Sequence, residues 1–301
     1  MLNIGIIGCG EWSKKIIKEV EYNKNFNLKS IVCRNYKSKI LKVKKNVLIF
    51  KDIENFFKKN INDCVYVAGT PELNIKVTKL ANKYKMPLIL EKPITNSYKE
   101  AQELQKIAKN SKMIILPNLS YYFSDSFFYL KIFIKKNINE IKQIIIYEGG
   151  NGPFRKNIHP IWDWGFHSFS TLINLFEYKN ISNINSQEIK KTNLFEKGIV
   201  TKFKANIDSR FEVKLLTGNI FKKKIRKIKV ILNNGSNLES NLNNHKIYLN
   251  GNIVFKSSTS PLQSLLDKFN FNIVEDNIDL SQSLLKTSCE TTKILEKFYK
   301  Y

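Results

Sequence analysis

The sequence contains little cysteine and histidine. Its 301 residues include three histidines and four cysteines, Cys9, Cys33, Cys64 and Cys289. No two cysteines form a Cys-x-x-Cys pair, so neither a disulfide framework nor a zinc site is expected. Short apolar segments contain Cys9, Cys33 and Cys64, which predicts buried free thiols. With so few histidines, we predict no metal site.

Arginine is also scarce, although the chain is strongly basic. The formal net charge is +24 at pH 7, but only four residues are arginines, and the lysines are spread along the whole chain. Base recognition and bidentate phosphate contacts favour arginine, so we expect no nucleic-acid partner. The longest basic cluster, residues 221–227, has the pattern of a solvated strand edge. The positive field could still attract an anionic substrate.

Long apolar runs are absent as well. No run reaches the ~18 apolar residues that a membrane-spanning helix needs. The apolar segment 1–9 is short and lacks the basic start of a signal peptide. We therefore expect no membrane partner and a cytoplasmic location.

Strand-like and helical segments alternate through the first part of the chain. The predicted strands are short apolar runs at residues 2–7, 28–33, 47–50, 64–68, 87–90 and 113–116. Helical spacing fills the segments between them, as in residues 11–22 and 71–84. This alternation indicates an α/β fold with a doubly wound parallel sheet of the Rossmann type. We assign residues 1–120 to a dinucleotide-binding domain.

After residue 120 the pattern changes. Residues 181–256 contain several strand-like runs separated by Asn/Gly turns, and residues 261–269 and 281–298 have helical spacing. We predict that residues 121–301 form a substrate-binding and oligomerisation domain of the α+β class, built on an open, largely antiparallel sheet.

Two glycines and a serine, Gly8, Gly10 and Ser13, follow the first predicted strand and open the first helix. Glycine permits a tight turn and lets a pyrophosphate approach the backbone, while the helix N-terminus supplies N–H groups and a positive dipole. Ser13 replaces a third glycine and is small enough for close packing of helix and strand. These residues predict a nicotinamide dinucleotide site; a plain glycine turn is the alternative.

The second predicted strand ends in Arg34 and carries no carboxylate. An acidic residue there would bind the ribose hydroxyls of NAD, whereas an arginine is placed to meet the 2′-phosphate of NADP or to stack on the adenine. The sequence therefore favours NADP over NAD. A solvent-facing arginine after a strand is the alternative interpretation.

Lys92 and Asn118 follow the fifth and sixth predicted strands, at the edge where open α/β sheets bind ligands. Pro93 restricts Lys92 to an extended conformation, which directs its side chain. An ammonium group near the nicotinamide could stabilise negative charge on a substrate oxygen. Asn118 could bond the substrate or the nicotinamide amide. A surface lysine and a turn-forming asparagine are the alternatives.

Asp163 and His167 are four residues apart at the start of a predicted helix, residues 163–176, so both would lie on one face. Histidine titrates near neutral pH and could take or return a hydroxyl proton during hydride transfer. Asp163 could bind a neighbouring hydroxyl and raise the basicity of His167. A helix-start acid and an ordinary core histidine are the alternatives.

Arg155 and Trp162 precede this helix and are candidate substrate-binding residues. Arg155 lies in a Gly/Pro loop and could hold a carboxylate or a phosphate. Trp162 could line the face of a sugar. An exposed loop arginine and a core tryptophan are the alternatives, and Tyr121 and Tyr122 receive no role.

Four motifs together resemble those of the glucose–fructose oxidoreductase/inositol dehydrogenase/MocA (Gfo/Idh/MocA) family. They are Gly8-x-Gly10, Ala68-Gly69-Thr70-Pro71, Glu91-Lys92-Pro93 and Asp163-Trp164-Gly165-Phe166-His167. The chain departs from the family pattern at Ser13 and at Asn74, where a histidine is usual. The segments 10–12 and 155–167 are most similar to members that act on nucleotide-linked or other activated sugars.

The resemblance implies an NAD(P)-dependent oxidoreductase that moves hydride to or from a sugar-like substrate. Lys92, Asp163 and His167 match the family's catalytic residues, and we expect them to meet in one cleft between the two domains. The implied cofactor contacts are Gly8, Gly10, Glu11, Trp12, Ser13, Arg34, Thr70, Pro71, Asn74, Glu91 and Lys92. The resemblance also implies a homodimer or homotetramer. The alternative function is a redox-inactive protein of the same fold that senses nicotinamide or a sugar.

Overall fold

The computed structural model describes residues 1–34, 46–155, 158–192 and 198–299. The chain divides into two compact units. The first contains Met1–Asn118 and Leu262–Cys289, and the second contains Leu119–Pro261 and the residues from Glu290 onward. The segment 262–289, which we assigned to the second domain, therefore folds with the first unit.

The first unit contains a parallel sheet. Its strands are β1 (Leu2–Ile7), β2 (Phe26–Val32), β3 (Leu48–Phe50), β4 (Cys64–Val67), β5 (Leu88–Leu90) and β6 (Ile115–Pro117). They lie in the order β3-β2-β1-β4-β5-β6, and every neighbouring pair is parallel. Between them lie the helices α1 (Glu11–Tyr22), α2 (Ile53–Lys59), α3 (Pro71–Lys83) and α4 (Tyr98–Asn110). The predicted doubly wound class is confirmed, and β4 and β5 are buried at every position, as strands covered on both faces must be.

The second unit contains an open, mixed sheet. Two helices accompany it, α5 (Asp125–Lys136) and α6 (Gly165–Phe176). The strands are β7 (Ile141–Asn151), β8 (Ile181–Thr192), β9 (Gly198–Ile207), β10 (Phe211–Gly218), β11 (Ile220–Leu232), β12 (Asn237–Asn241), β13 (Lys246–Leu249) and β14 (Asn252–Lys256). The order is β14-β13-β12-β11-β7-β10-β9-β8, and β7 with β10 is the one parallel pair among the described strands of this sheet. The prediction of a largely antiparallel sheet is confirmed.

The prediction of a solvated edge for the basic cluster at residues 221–227 holds only for its first residues, because pairing of their strand with β12 begins at Lys227. Its strand, β11, lies between β12 and β7. The lysines at 222–224 are exposed where the register against β7 shifts between Ile220 and Ile225. Arg226 instead stands directly opposite Glu148 of β7. The period of two in the sequence shows that a strand has two faces, but it does not show how many neighbours the strand has.

Two helices lie near the end of the chain, α7 (Pro261–Val274) and α8 (Asp279–Phe298), and the first unit contains α7 from Leu262 and α8 up to Cys289. Phe269 of α7 stacks on Phe26 of β2 with ring centroids 6.3 Å apart. Leu285 and Cys289 of α8 belong to the apolar core of this unit. These contacts explain why residues 262–289 fold with the first unit. Within the described ranges, no helix combines the length and apolar character needed to cross a bilayer.

Ser281 of α8 provides hydrogen-bond partners for backbone groups on the unpaired side of β6, which is an edge strand of the first sheet. Its hydroxyl accepts the Ile115 N–H at 2.8 Å and donates to the Ile115 carbonyl at 2.9 Å. Buried backbone groups without partners are costly, and edge strands expose a row of them. One serine side chain therefore fixes α8 to the sheet.

We expect Ser281→Ala to lower the free energy of unfolding by about 1–3 kcal/mol, because it leaves a buried N–H without a partner. Urea denaturation followed by circular dichroism measures the change. Ser283 is exposed on the same helix. Ser283→Ala is the matched control and should change stability by less than about 0.5 kcal/mol. Equal losses in the two variants would contradict this role of Ser281.

Candidate active site

The turn after β1 requires glycine at its first position. Gly8 has a φ of +121°, which residues with side chains rarely adopt, and a Cβ there would collide with the Ala68 carbonyl oxygen. Ser13 is fully buried, and its hydroxyl oxygen lies 3.3 Å from the place of that Cβ, so α1 needs a small residue here. Gly10 is the N-cap residue of α1, and an added Cβ would meet nothing within 4 Å. The turn thus presents bare backbone and a helix N-terminus to open space.

A pocket of about 770 Å³ opens beside this turn within the first unit. Four of the predicted cofactor residues line it: Gly8, Gly10, Arg34 and Thr70. A pocket of this size is typical of small-molecule and cofactor sites. Sequence reasoning did not identify its other charged lining residues, Lys51, Asp52, Glu54, Glu72 and Lys76.

The acidic residues of this pocket are bound to other groups. Glu54 pairs with Lys76, with 2.6 Å between Oε1 and Nζ, and this hydrogen bond lowers the pKa of Glu54. Asp52 caps α2, since its Oδ1 accepts the Asn55 N–H at 2.8 Å. Arg34 is exposed at the end of β2. The end of β2 therefore presents a cation to the pocket.

Cys9 and Cys33 form a disulfide bond, with Cα atoms 5.4 Å apart. The prediction of free thiols was wrong for this pair, because pairing of the parallel strands β1 and β2 makes residues 24 positions apart into neighbours. The Gly8 N–H, for example, donates to the Val32 carbonyl at 3.1 Å. The disulfide joins the glycine turn to the strand end that carries Arg34. Cys64 is a buried free thiol.

Glu91 joins the start of α1 to the carboxyl ends of three strands. Its Oε1 accepts hydrogen bonds from Trp12 Nε1 at 2.5 Å, the Tyr66 hydroxyl at 2.6 Å and Asn118 Nδ2 at 2.8 Å. Burial raises the pKa of Tyr66 and the Glu91 charge raises it further, so the phenol stays a donor at neutral pH. Hydrogen bonds to a carboxylate are stronger than neutral ones. This shared acceptor therefore holds the edge of the sheet in one arrangement.

Lys92 follows Glu91 and is half-buried, and the Lys92–Pro93 peptide bond is cis. Asn74 of α3 is fully buried, and its Nδ2 donates to the Ile94 carbonyl at 2.9 Å and to the Glu91 carbonyl at 3.4 Å. Asn74 is not among the residues that line the pocket. Its two hydrogen bonds hold the turn that contains Lys92 against α3.

The remaining predicted residues of the first unit lie at helix starts and at the end of β6. Glu11 is exposed and pairs with Lys14 at 2.7 Å. Thr70 is the N-cap residue of α3, and Pro71 is its buried first residue. Asn118 is buried, and its Oδ1 has no hydrogen-bond partner among the described residues. A buried carbonyl oxygen of this kind can accept a donor from a ligand.

In the second unit, Asp163 lies before α6, which was predicted to begin at this residue. A short 3₁₀ turn, Pro160–Trp162, comes first, and α6 begins at Gly165. The Pro160 carbonyl accepts the N–H groups of Asp163 at 3.2 Å and Trp164 at 3.0 Å, which connects the 3₁₀ turn to the start of the helix. Asp163 and Trp164 keep right-handed helical backbone angles, so the i, i+4 argument for Asp163 and His167 stays a prediction.

Arg155 binds the carboxylate of Asp163. Its Nε donates to Oδ2 at 2.9 Å and one terminal nitrogen donates to Oδ1 at 3.3 Å. The Asp163 side chain is 19% exposed and that of Arg155 is 51% exposed. This fork orients Asp163, and the binding of an anionic substrate group by Arg155 stays a prediction.

His167 is 6% exposed, and its ring lies against Tyr121 with centroids 5.1 Å apart. The Tyr121 hydroxyl donates to the buried Glu148 of β7. Sequence reasoning gave no role to Tyr121 and did not identify Glu148. The available signal was the alternation along β7, where Ile144 and Ile146 are buried and a glutamate holds the next inward position.

Trp162 was predicted to bind substrate, and its burial contradicts this role. The side chain is 1% exposed, and its Nε1 donates to the Tyr299 carbonyl at 3.1 Å. A tryptophan with its N–H bonded inside the unit is a core residue.

We expect alkaline pH to weaken the fold through Tyr66. Its pKa is raised by burial, so its stabilising effect is complete below the unfolded value of about 10 and is lost as pH rises toward the folded value. Urea denaturation at pH ~8 and ~10.5 should show a smaller loss of stability for Tyr66→Phe than for the wild type. Tyr22→Phe, at an exposed site, should keep the wild-type loss. Identical losses in all three proteins would contradict this assignment.

Solved structures of several oxidoreductases share this fold along almost the whole chain. A dehydrogenase from Chromobacterium violaceum is 14% identical with a TM-score of 0.83, covering 98% of this chain and 93% of its own. UDP-N-acetylglucosamine 3-dehydrogenase GnnA from Acidithiobacillus ferrooxidans is 12% identical with a TM-score of 0.80, covering 98% and 96%. Scyllo-inositol dehydrogenase from Lactobacillus casei, with bound NAD(H) and scyllo-inositol, is 13% identical with a TM-score of 0.78, covering 98% and 94%. At these identities the likeness shows the fold.

No curated protein matches the sequence. Residues 2–119 match the family model GFO_IDH_MocA, described as an oxidoreductase family with an NAD-binding Rossmann fold. The family resemblance found in the motifs is confirmed over this part of the chain. Over residues 2–119, this chain therefore matches the NAD-binding Rossmann domain of the Gfo/Idh/MocA family of oxidoreductases.

Proposed function

We propose that this protein transfers hydride between a nicotinamide cofactor and a hydroxyl or keto carbon of a sugar or sugar derivative, including nucleotide-linked sugars. The observation that carries the proposal is the bare turn at Gly8 and Gly10, which opens on the same pocket as Arg34. The solved neighbours include a UDP-N-acetylglucosamine 3-dehydrogenase and a scyllo-inositol dehydrogenase, which supports a polyhydroxylated substrate.

The residues of the first unit fit a dinucleotide. Gly10 leaves free the space that a Cβ would fill, and α1 begins beside it. A helix N-terminus offers unpaired N–H groups and the positive end of its dipole to a pyrophosphate. The buried Oδ1 of Asn118 is an acceptor for an amide N–H. When bound, the nicotinamide ring supplies the hydride donor or acceptor.

We propose a preference for NADP. Arg34 is exposed at the end of β2 and lines the pocket, and the carboxylates of Asp52 and Glu54 nearby are engaged with other groups. A guanidinium group can bind the 2′-phosphate, whereas the ribose hydroxyls of NAD are normally bound by a carboxylate at this strand end.

We assign proton transfer to His167 and charge stabilisation to Lys92. In the oxidation direction, a ring nitrogen of neutral His167 takes the proton of the substrate hydroxyl while the C–H bond breaks and hydride leaves. The Lys92 ammonium donates a hydrogen bond to the same oxygen and stabilises the negative charge that builds on it. Asp163, oriented by Arg155, accepts a hydrogen bond from a neighbouring hydroxyl. In the reductive direction, His167 returns the proton to the oxygen.

Assembly into a homodimer or homotetramer stays a prediction. Analytical ultracentrifugation of the purified chain tests it, and a monomer at micromolar concentration would contradict it.

We expect Lys92→Ala and His167→Ala each to lower kcat/KM by roughly 100- to 10,000-fold, as loss of a proton-transfer or oxyanion-stabilising group does. The assay mixes the protein with NAD or NADP and a panel of sugars and nucleotide-linked sugars, and follows reduced nicotinamide by absorbance. Lys106→Ala, on the exposed face of α4, and His245→Gln are the matched controls and should keep wild-type turnover. Full activity of Lys92→Ala or His167→Ala would contradict the role proposed for that residue. Tight cofactor binding without turnover on any sugar would instead favour a redox-inactive sensor.

We expect two pocket variants to separate phosphate binding from cofactor selectivity. Gly10→Ala should weaken NADPH and NADH about equally, by roughly 10-fold or more, because its Cβ fills the space proposed for the pyrophosphate. Arg34→Ala should weaken NADPH by a similar factor and leave NADH unchanged. Fluorescence titration with each reduced cofactor measures both affinities.

The stability of each variant must be measured as a control for these titrations. Gly10 has a φ of −80°, so alanine there should change the free energy of unfolding by less than about 1 kcal/mol. Gly8→Ala should instead destabilise the fold by at least ~1–3 kcal/mol, because φ is +121° there. A stable Gly10→Ala protein with wild-type affinity for both cofactors would contradict the placement of the pyrophosphate.

A further inference from the structure

An ion pair with a buried carboxylate joins two neighbouring strands in the sheet of the second unit. Glu148 of β7 is 1% exposed and stands directly opposite Arg226 of β11 in the antiparallel register. The Nε atom of Arg226 lies 3.0 Å from Glu148 Oε1. Arg226 shares its strand face with the buried Ile228 and Val230. Burial of a charged group costs free energy unless neighbouring groups form hydrogen bonds with it. The residues around this pair are therefore candidates for a functional role.

Tyr121 adds a hydrogen-bond donor to the carboxylate of this pair. Its hydroxyl lies 2.7 Å from each carboxylate oxygen of Glu148, to which it donates. Burial raises the pKa of Tyr121, and the Glu148 charge raises it further, so the phenol keeps its proton at neutral pH. The orientation of the Tyr121 ring is thus set by a carboxylate that Arg226 in turn holds.

The same guanidinium group also holds the residue before α6. Arg226 lies over two rings, with its central carbon 5.2 Å from the Tyr121 centroid and 5.6 Å from the Trp164 centroid. The Trp164 Nε1 donates to the Gly152 carbonyl at 2.9 Å. Gly150 of β7 gives the indole its space, since a Cβ there would approach the Trp164 ring at 3.0 Å. Trp164 is the N-cap residue of α6, so the start of this helix is fixed against β7 and β11.

Two series of contacts connect the ion pair to His167, one through Trp164 and one through Tyr121. His167 is the third residue of α6, whose start Trp164 fixes. Its ring also lies against Tyr121, with centroids 5.1 Å apart and planes at 38°. A shift of either contact would turn or displace the imidazole.

We propose that Glu148 and Arg226 are positioning residues for His167, Glu148 through the Tyr121 ring and Arg226 through Tyr121 and Trp164. The functional part of this inference rests on the proposed role of His167 in proton transfer. The structural part, that the pair fixes the imidazole, stands on the geometry of the second unit.

The structural part can be tested by NMR in the protein without cofactor. The chain has three histidines, so a spectrum of the full-length protein with ¹³C-labelled histidine rings has few signals, and His159→Gln and His245→Gln assign them. The Tyr121 ring current makes the His167 signal a reporter of their contact. We expect Tyr121→Phe, Glu148→Gln and Arg226→Lys each to move or broaden the His167 signal. Arginine and lysine are not equivalent here, because an ammonium group cannot bridge a carboxylate and two rings in the same way.

A neighbouring ion pair on the same strand provides the matched control. Lys227 follows Arg226 on β11 and pairs with Glu239 of β12 at 2.8 Å, with side chains 31% and 24% exposed. Lys227→Met and Glu239→Gln should leave the His167 signal in place. An unchanged signal in all three test variants would overturn the proposal, as would equal changes in the control variants.

Kinetics test the functional part separately. If the wild type is active, we expect kcat to fall by roughly 10-fold or more in Glu148→Gln and Tyr121→Phe, since misplacing a reacting group by ~1 Å can cost about 100-fold. The KM for the cofactor should stay unchanged, because the altered residues lie outside the first unit. An equal fall in activity for Lys227→Met would overturn the functional part. If the wild type shows no turnover on any sugar, the proposed function fails, and the NMR result still decides whether the pair fixes the imidazole.

The three test variants also control for loss of folding. Tyr121→Phe removes a hydroxyl and keeps the ring, leaving Glu148 paired with Arg226. Circular dichroism and thermal unfolding identify variants that fold. If Glu148→Gln or Arg226→Lys does not fold, Tyr121→Phe decides the proposal alone, and a wild-type His167 signal in that folded variant would overturn it.

Discussion

The first unit depends on one shared acceptor, the Oε1 atom of Glu91. Trp12, Tyr66 and Asn118 reach it from the start of α1, from β4 and from the end of β6. Strand pairing brings the carboxyl ends of β4, β5 and β6 side by side, but it does not set the positions of side chains beyond the ladder. Three donors on one carboxylate oxygen set them. Lys92 is the next residue in the chain, so its position follows from this arrangement.

The second unit uses a second carboxylate in a similar way. Glu148 binds Tyr121 and Arg226, and these two residues contact the ring and the helix start that carry His167. A carboxylate can accept several hydrogen bonds at once, so it can fix several side chains together, whereas apolar packing leaves more freedom of orientation. Lys92 thus follows a carboxylate residue in the chain, and His167 contacts a tyrosine that a carboxylate binds.

The sequence predicts the features that depend on neighbouring residues and misses those set by distant ones. Alternating strands and helices and the Gly8–Gly10 turn are local, and both were found. The Cys9–Cys33 bond and the Glu148–Arg226 pair depend on strand order and register, which no local pattern contains. The return of residues 262–289 to the first unit depends on long-range contacts such as that of Ser281 with Ile115. Trp162 was misjudged because an aromatic residue near a motif has the same local pattern in a core as in a binding site.

Hydride transfer by this protein can be followed by isotope labelling. The protein is incubated with NADPH that carries deuterium at the transferred position of nicotinamide C4, together with keto-sugars in free and nucleotide-linked form. Mass spectrometry and NMR then locate the label. Our account predicts a sugar product with a single deuterium on the carbon that bears the new hydroxyl. Unlabelled sugars, with the deuterium retained in the cofactor or released to solvent, would contradict it.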